Sequence, residues 1–156
     1  MGELLLRPAT PADGPALAEV HLAARAAAPM PPPVHTDDEV RAWLASRIGG
    51  RDGDEVWVAE TGDTVVGYAR FTRTWLDDLY VDPEHAGQGV GSALLDLVKA
   101  RHPAGFGLWV FATNAPARAF YAARGLVERE LTDGSGNEER APDVRMEWPG
   151  TRVGPA

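Results

Sequence analysis

Residues 82–95 read DPEHAGQGVGSALL, and three glycines fall at alternate positions, Gly87, Gly89 and Gly91. A strand-like run, WLDDLYV (75–81), comes before them and a helix-like run, SALLDLVKARH (92–102), comes after. Glycine ahead of a helix costs conformational entropy and gives the fold nothing to bury. The stretch is either a tight strand-to-helix turn or a place where a ligand approaches the backbone. A dinucleotide fingerprint would need glycine where Ser92 stands, inside a βαβ unit. A P-loop would need Gly-Lys-Ser/Thr, which is absent. Beside the plain turn there remains an anion site, built from free N–H groups and a helix start. With no lysine or Mg²⁺ ligand set nearby, the anion it suits is a cofactor diphosphate, not a transferred phosphoryl group.

The rest of the chain divides into short elements. LLLR (4–7) reads as a strand, and residues 14–27 as a helix with Leu17, Val20 and Ala24 on one face. PMPPP (29–33) cannot be helical. Thr36 and Glu39 match a capping box for a second helix, with Gly49 as its stop. EVWVAE (55–60) and TVVGYARF (64–71) flank a TGD turn as a hairpin, and 75–81 adds a third strand. After the glycine stretch and its helix come a strand (107–112) and a short helix with Asn114 as cap, Pro116 in its first turn and Gly125 past its end. Two strands, 126–131 and 144–148, bracket a polar loop. The order β-α-α-β-β-β-α-β-α-β-β predicts a single-domain α/β fold, a mixed sheet with flanking helices on both faces. Residues 1–148 form that domain, and 149–156 read as a loose tail.

Composition narrows the function. The chain has 156 residues, enough for one domain with a real core at 44% hydrophobic content. It lacks cysteine, which removes disulfides, thiolate nucleophiles and iron–sulfur ligands, and fits a reducing cytoplasm. Its four histidines show no metal spacing, so no metal is expected. A net charge of −8 without a Lys/Arg block argues against nucleic acid and leans toward a cationic small molecule. No apolar run approaches the ~18 residues of a membrane span, so no membrane partner is expected.

VDPEHAGQGVGSALL, followed by LWVFATNAPARAFYAARGL, resembles the two signature segments of the GNAT acyl-CoA N-acyltransferase superfamily, spanning residues 75–127. The first has the form (R/Q)xxGx(G/A) after a V-x-P turn, and the second is an Asn, a small residue and Phe-Tyr before a Gly. The resemblance implies acetyl-CoA as co-substrate and acetyl transfer to an amine, small-molecule or peptide, by direct attack in a ternary complex. It also implies a cofactor site at Ala86, Gly87, Gln88, Gly89, Val90, Gly91 and Ser92, with backbone N–H groups of Leu79 and Val81 toward the thioester. Asn114, Ala117 and Phe120 would line the other wall. One departure stands out: the motif's first Arg or Gln falls on Ala86. Dimers are common in the resembled family.

The chemistry needs an acid for the leaving thiolate and a base for the amine. A phenol near pKa ~10 is matched to a thiolate near ~8.5, which nominates Tyr121. By resemblance the base falls on Asp77. Asp78, its neighbour on a strand, would point to the opposite face and tie down structure. An aspartate near ~3.9 needs a raised pKa or a water relay to serve as that base. The acceptor site, expected between the first helical connector and the final hairpin, nominates His35, Thr36, Trp75, Asn137 and Glu138. Arg118, Arg124 and Lys99 are available for phosphates, with surface solvation as their ordinary role. A non-catalytic acyl-CoA-binding module is the rival reading. It would keep the glycine site but have no need of Tyr121 and the acid.

Overall fold

Local capping fixes where the helices begin. In the computed structural model, which describes residues 3–49 and 54–151, α1 spans Gly14–Ala27 and α2 spans Asp37–Arg47. Thr36 and Glu39 form the expected capping box, the Glu39 N–H donating to Thr36 Oγ1 (3.2 Å) and the Thr36 N–H to Glu39 Oε1 (3.0 Å). Both helices lie on one face of an antiparallel sheet ordered β1-β2-β3-β4, formed by β1 (Leu4–Pro8), β2 (Glu55–Thr61), β3 (Thr64–Phe71) and β4 (Leu76–Val81). There Leu17, Ala18, Val20, Leu44 and Ile48 bury against Val56, Val58 and Tyr68.

The opposite face carries α3 (Val90–Arg101), whose Val90, Leu94, Leu95 and Val98 recur at helical spacing and pack on Val66, Ala69 and Phe71. The helix starts at Val90, inside the glycine run and two residues before the expected Ser92, because Gly89 adopts the left-handed conformation (φ +82°) and serves as its N-cap. The same core continues into a second sheet, ordered β5-β7-β6, from β5 (Phe106–Phe111), β6 (Val127–Leu131) and β7 (Asp143–Trp148). Between β5 and β6, α4 (Ala115–Ala123) is capped by Asn114 Oδ1, which accepts from the Ala117 N–H at 3.3 Å.

The element order agrees with the sequence reading, but the sheet divides differently. Every ladder is antiparallel, and the two sheets meet in parallel at one bridge, Trp75 to Gly107. A Cβ on Gly107 would stand 2.5 Å from Trp75 Cζ3, so any larger residue would have to displace the indole. Past this seam β4 and β5 share no ladder, and the gap between them becomes the site. The start of the expected loose tail is tied down: the Thr151 N–H donates to the Pro103 carbonyl at 2.8 Å. Residues 152–156 of that tail lie outside the described residues. Among the described residues no helix is long and apolar enough to cross a membrane.

Candidate active site

A cavity of about 960 Å³ opens where β4 and β5 part. Leu79 and Val81 line it from β4, Leu108 and Val110 from β5, and Asn114, Ala117, Phe120 and Tyr121 from the start and inner face of α4. Strand alternation orients the β4 amides. The Asp82 N–H donates to the Val66 carbonyl on β3 (2.8 Å). Alternate amides therefore turn Tyr80 toward β3 and the N–H groups of Leu79 and Val81 toward the gap. This edge offers unpaired donors to whatever enters. Tyr121 is 9% exposed and reaches the cavity from the core, and burial pushes its phenol pKa well up. It therefore stays protonated throughout the neutral range.

Asp77 and Asp78 depart from the expectation of opposite faces. The β3–β4 register passes from Arg70–Asp78 to Phe71–Leu76, leaving Asp77 as an extra residue without a partner. This bulge breaks the period of two, and both carboxylates line the same cavity. Both also approach one guanidinium. Arg70 Nε donates to Asp78 Oδ2 at 2.8 Å, and Arg70 Nη1 lies 3.0 Å from Asp54 and 3.9 Å from Asp77. Asp78 Oδ2 also accepts from the Tyr68 hydroxyl (3.2 Å), which meets His21 Nδ1 at 2.7 Å. Three carboxylates thus share one arginine, and Asp77 holds the weakest claim. Desolvation pushes its pKa up to about 6, reinforced by Asp78 and Asp54 and opposed by Arg70 and Arg47. Asp78 is the tied, structural member, as expected.

Beside the cavity, the glycine turn leaves its backbone open. Gly87 (φ +76°) and Gly89 both adopt left-handed conformations, and a Cβ on either would meet nothing within 4 Å. Ala86 and Gln88 are exposed. Val90 and Gly91 play a different part from the rest. The Val90 side chain is buried in the core, and a Cβ on Gly91 would touch the Phe120 ring at 3.3 Å. Ser92 Oγ accepts a hydrogen bond from Arg124 Nε at 2.9 Å, so Arg124 is not the solvated surface residue expected of it.

Of the nominated acceptor residues, Asn137 alone lines this cavity, and its amide is occupied within its own loop by the Ala141 carbonyl and Asp143. Thr36 is a helix cap. Trp75 packs at the seam over Gly107. His35 and Glu138 form an exposed pair (2.9 Å) joining the α1–α2 connector to the β6–β7 loop, outside the cavity lining. Their neighbours Asn137 and Glu139 line the cavity, whereas His35 and Glu138 turn to each other in the exposed pair. The cavity is also walled by residues the sequence reading missed. Arg25 Nη1 donates to the Tyr80 hydroxyl (3.3 Å), and its other terminal nitrogen lies 3.6 Å from Glu139. Arg25 follows His21 by four residues, a helical spacing that places both on the sheet-facing side. Among the described residues no group of three His, Asp or Glu side chains converges as a metal site.

Residues 18–126 match the model of the acetyltransferase (GNAT) family. The chain belongs to that family. A 111-residue stretch is 35% identical to an uncharacterized N-acetyltransferase of Archaeoglobus fulgidus, covering 62% of this chain and 72% of that one. The solution structure of apo YjaB from Escherichia coli superposes with a TM-score of 0.76 at 20% identity, covering 96% of this chain and 99% of that one. YncA from Salmonella typhimurium, solved with its cofactor acetyl-CoA, gives a TM-score of 0.71 at 22% identity, covering 97% and 96%. Membership of the GNAT family carries the activity class, an N-acetyltransferase using acetyl-CoA, and favours it over the non-catalytic binding module.

Proposed function

We propose that this chain acetylates a primary amine, small-molecule or peptide, by direct attack within a ternary complex, with Tyr121 as acid and Asp77 as base. The observation that carries the reading is the single cavity between β4 and β5, which places outward backbone donors, a buried phenol and a carboxylate of raised pKa on its walls. Acetyl-CoA supplies an activated thioester there. The cavity volume, the free amides of Leu79 and Val81 and the open glycine turn suit that donor, with the turn's N–H groups nearest its diphosphate.

Each residue then has a defined task. The N–H groups of Leu79 and Val81 bond the pantetheine arm and the thioester carbonyl, where negative charge grows in the transition state. Asp77, with a pKa near 6, is ionised at neutral pH and accepts the proton an ammonium must lose before attack. Asp78, fixed by Arg70 and Tyr68, keeps a second negative charge close by and favours a cationic acceptor. Tyr121 donates to the departing thiolate. The same burial that raises its pKa also raises the thiolate's affinity for a proton. Nothing in this scheme uses a covalent enzyme intermediate.

The test is thiol release from acetyl-CoA with a panel of primary amines, paired with intact-protein mass after incubation with acetyl-CoA alone. The expected result is amine-dependent release and an unmodified protein mass. A protein mass increased by one acetyl group that chases onto amine would replace direct attack by a two-step route. Binding without turnover for every amine would return the chain to a binding module.

A further inference from the structure

Three cations, Lys99 on α3, Arg118 on α4 and Arg124 at the C-cap of α4, lie outside the cavity lining, and the fold gives them different partners. Arg118 is bound to Glu128 through Nε (2.8 Å) and Nη2 (2.9 Å), and to the Ala112 carbonyl through Nη1 (2.9 Å). The Lys99 ammonium donates to the Arg124 carbonyl at 2.6 Å and lies 5.2 Å from the Trp148 ring centre. Arg118 alone of the three is paired with a carboxylate among the described residues; Arg124, like Lys99, is held by neutral groups. Its Nε donates to Ser92 Oγ, its Nη1 donates to the Phe120 carbonyl at 2.9 Å, and its guanidinium lies 3.8 Å from the Phe120 ring centre. Among the described residues no carboxylate pairs with it, and its Nη2 has no protein acceptor.

This arrangement fixes the guanidinium in the free protein, with Arg124 at the C-cap of α4, where the helix dipole favours a cation. Two hydrogen bonds and a ring contact remove the rotamer freedom of a long side chain. Ser92 belongs to the first turn of α3, where the helix dipole repels a cation. The turn itself, AGQGVG from Ala86 to Gly91, has no charged side chain, and the nearby Asp82 and Glu84 are acidic. Phe120 joins the two regions, since its ring lines the cavity on one side and carries the guanidinium on the other. An anion reaching across the glycine turn would meet a fixed guanidinium without a carboxylate partner, free to donate from Nη2 while Nε and Nη1 are held by Ser92 and Phe120.

We infer that Arg124 is the phosphate-binding cation of this enzyme, held in place by Ser92 and Phe120 to fix the diphosphate end of the acyl donor. The inference rests on the reading of the glycine turn as the diphosphate site. It adds the residue that gives that site its charge.

Calorimetric titration of acetyl-CoA into wild type, Arg124→Gln and Arg124→Lys, with turnover of S-acetylpantetheine measured beside it, separates the possibilities. S-acetylpantetheine keeps the thioester and lacks the diphosphate and nucleotide. Arg124→Gln is expected to weaken acetyl-CoA binding about tenfold while acetylpantetheine turnover stays within about twofold, and Arg124→Lys to recover most of the loss. Ser92→Ala, which releases the guanidinium without removing it, is expected to weaken binding about threefold, and it decides the matter if Arg124→Gln does not fold. Unchanged acetyl-CoA affinity in Arg124→Gln overturns the inference. So does an equal loss for both donors, which would mean that Arg124 acts through the packing of Phe120. Wild type that binds acetylpantetheine but gains nothing from the CoA moiety overturns the diphosphate site itself.

Discussion

At the scale of single residues, the proposed mechanism gives Asp77 and Tyr121 the two halves of the proton chemistry. Burial raises Asp77 from its ordinary 3.8 to about 6, so kcat/KM should rise with pH through about 6. Asp77→Asn should remove that acidic limb and most of the activity, and a pH–rate profile checks both. The same shift has a stability sign. Below pH 3.8 the group is protonated folded and unfolded, and its ionisation costs nothing; above pH 6 the folded state bears the full cost. Asp77→Asn should therefore be more stable than wild type at pH 7 and equal to it near pH 3, in denaturant titrations at the two pH values. Tyr121→Phe should lower kcat at least about tenfold with acetyl-CoA affinity changed by less than about threefold. Equal kcat in both proteins would remove the acid role.

At the scale of elements, the seam between the sheets and the bulge in β4 shape the cavity. Gly107→Ala forces the Trp75 indole to move, and should cost about 1–3 kcal/mol in thermal or chemical unfolding. Because the shift falls at the closed end of the gap, it should also raise KM for acetyl-CoA. Thr36→Ala is the contrasting case. Thr36 is a cap outside the cavity lining, so its loss should cost about 1 kcal/mol of stability and leave KM for acceptor and donor unchanged. The bulge explains why the two aspartates share a face. A strict period of two assigns Asp78 to the far side, and an unpaired residue in the ladder is invisible in a run as short as WLDDLYV.

At the scale of the molecule, two antiparallel sheets meet at one bridge and a shared core, and the cavity lies between β4 and β5, one strand from each. A donor bound there touches both halves, so its binding should raise the unfolding temperature in a concentration-dependent way. At a hundredfold excess over Kd the gain is about 2.7 kcal/mol, and hydrogen exchange should slow most on β4 and β5. The element order, the capping box at Thr36, the cap at Asn114 and the glycine turn were all legible in the sequence. Each depends on torsions and hydrogen bonds within a few residues, and the residue types there have few other uses. Tertiary structure alone decided four further things: the shared approach of Asp77 and Asp78 to Arg70, the seam role of Trp75, the pairing of His35 with Glu138 outside the cavity lining, and the meeting of Arg124 with Ser92. Those depend on strand register and on packing between segments tens of residues apart, where a shift of one position redirects every side chain beyond it.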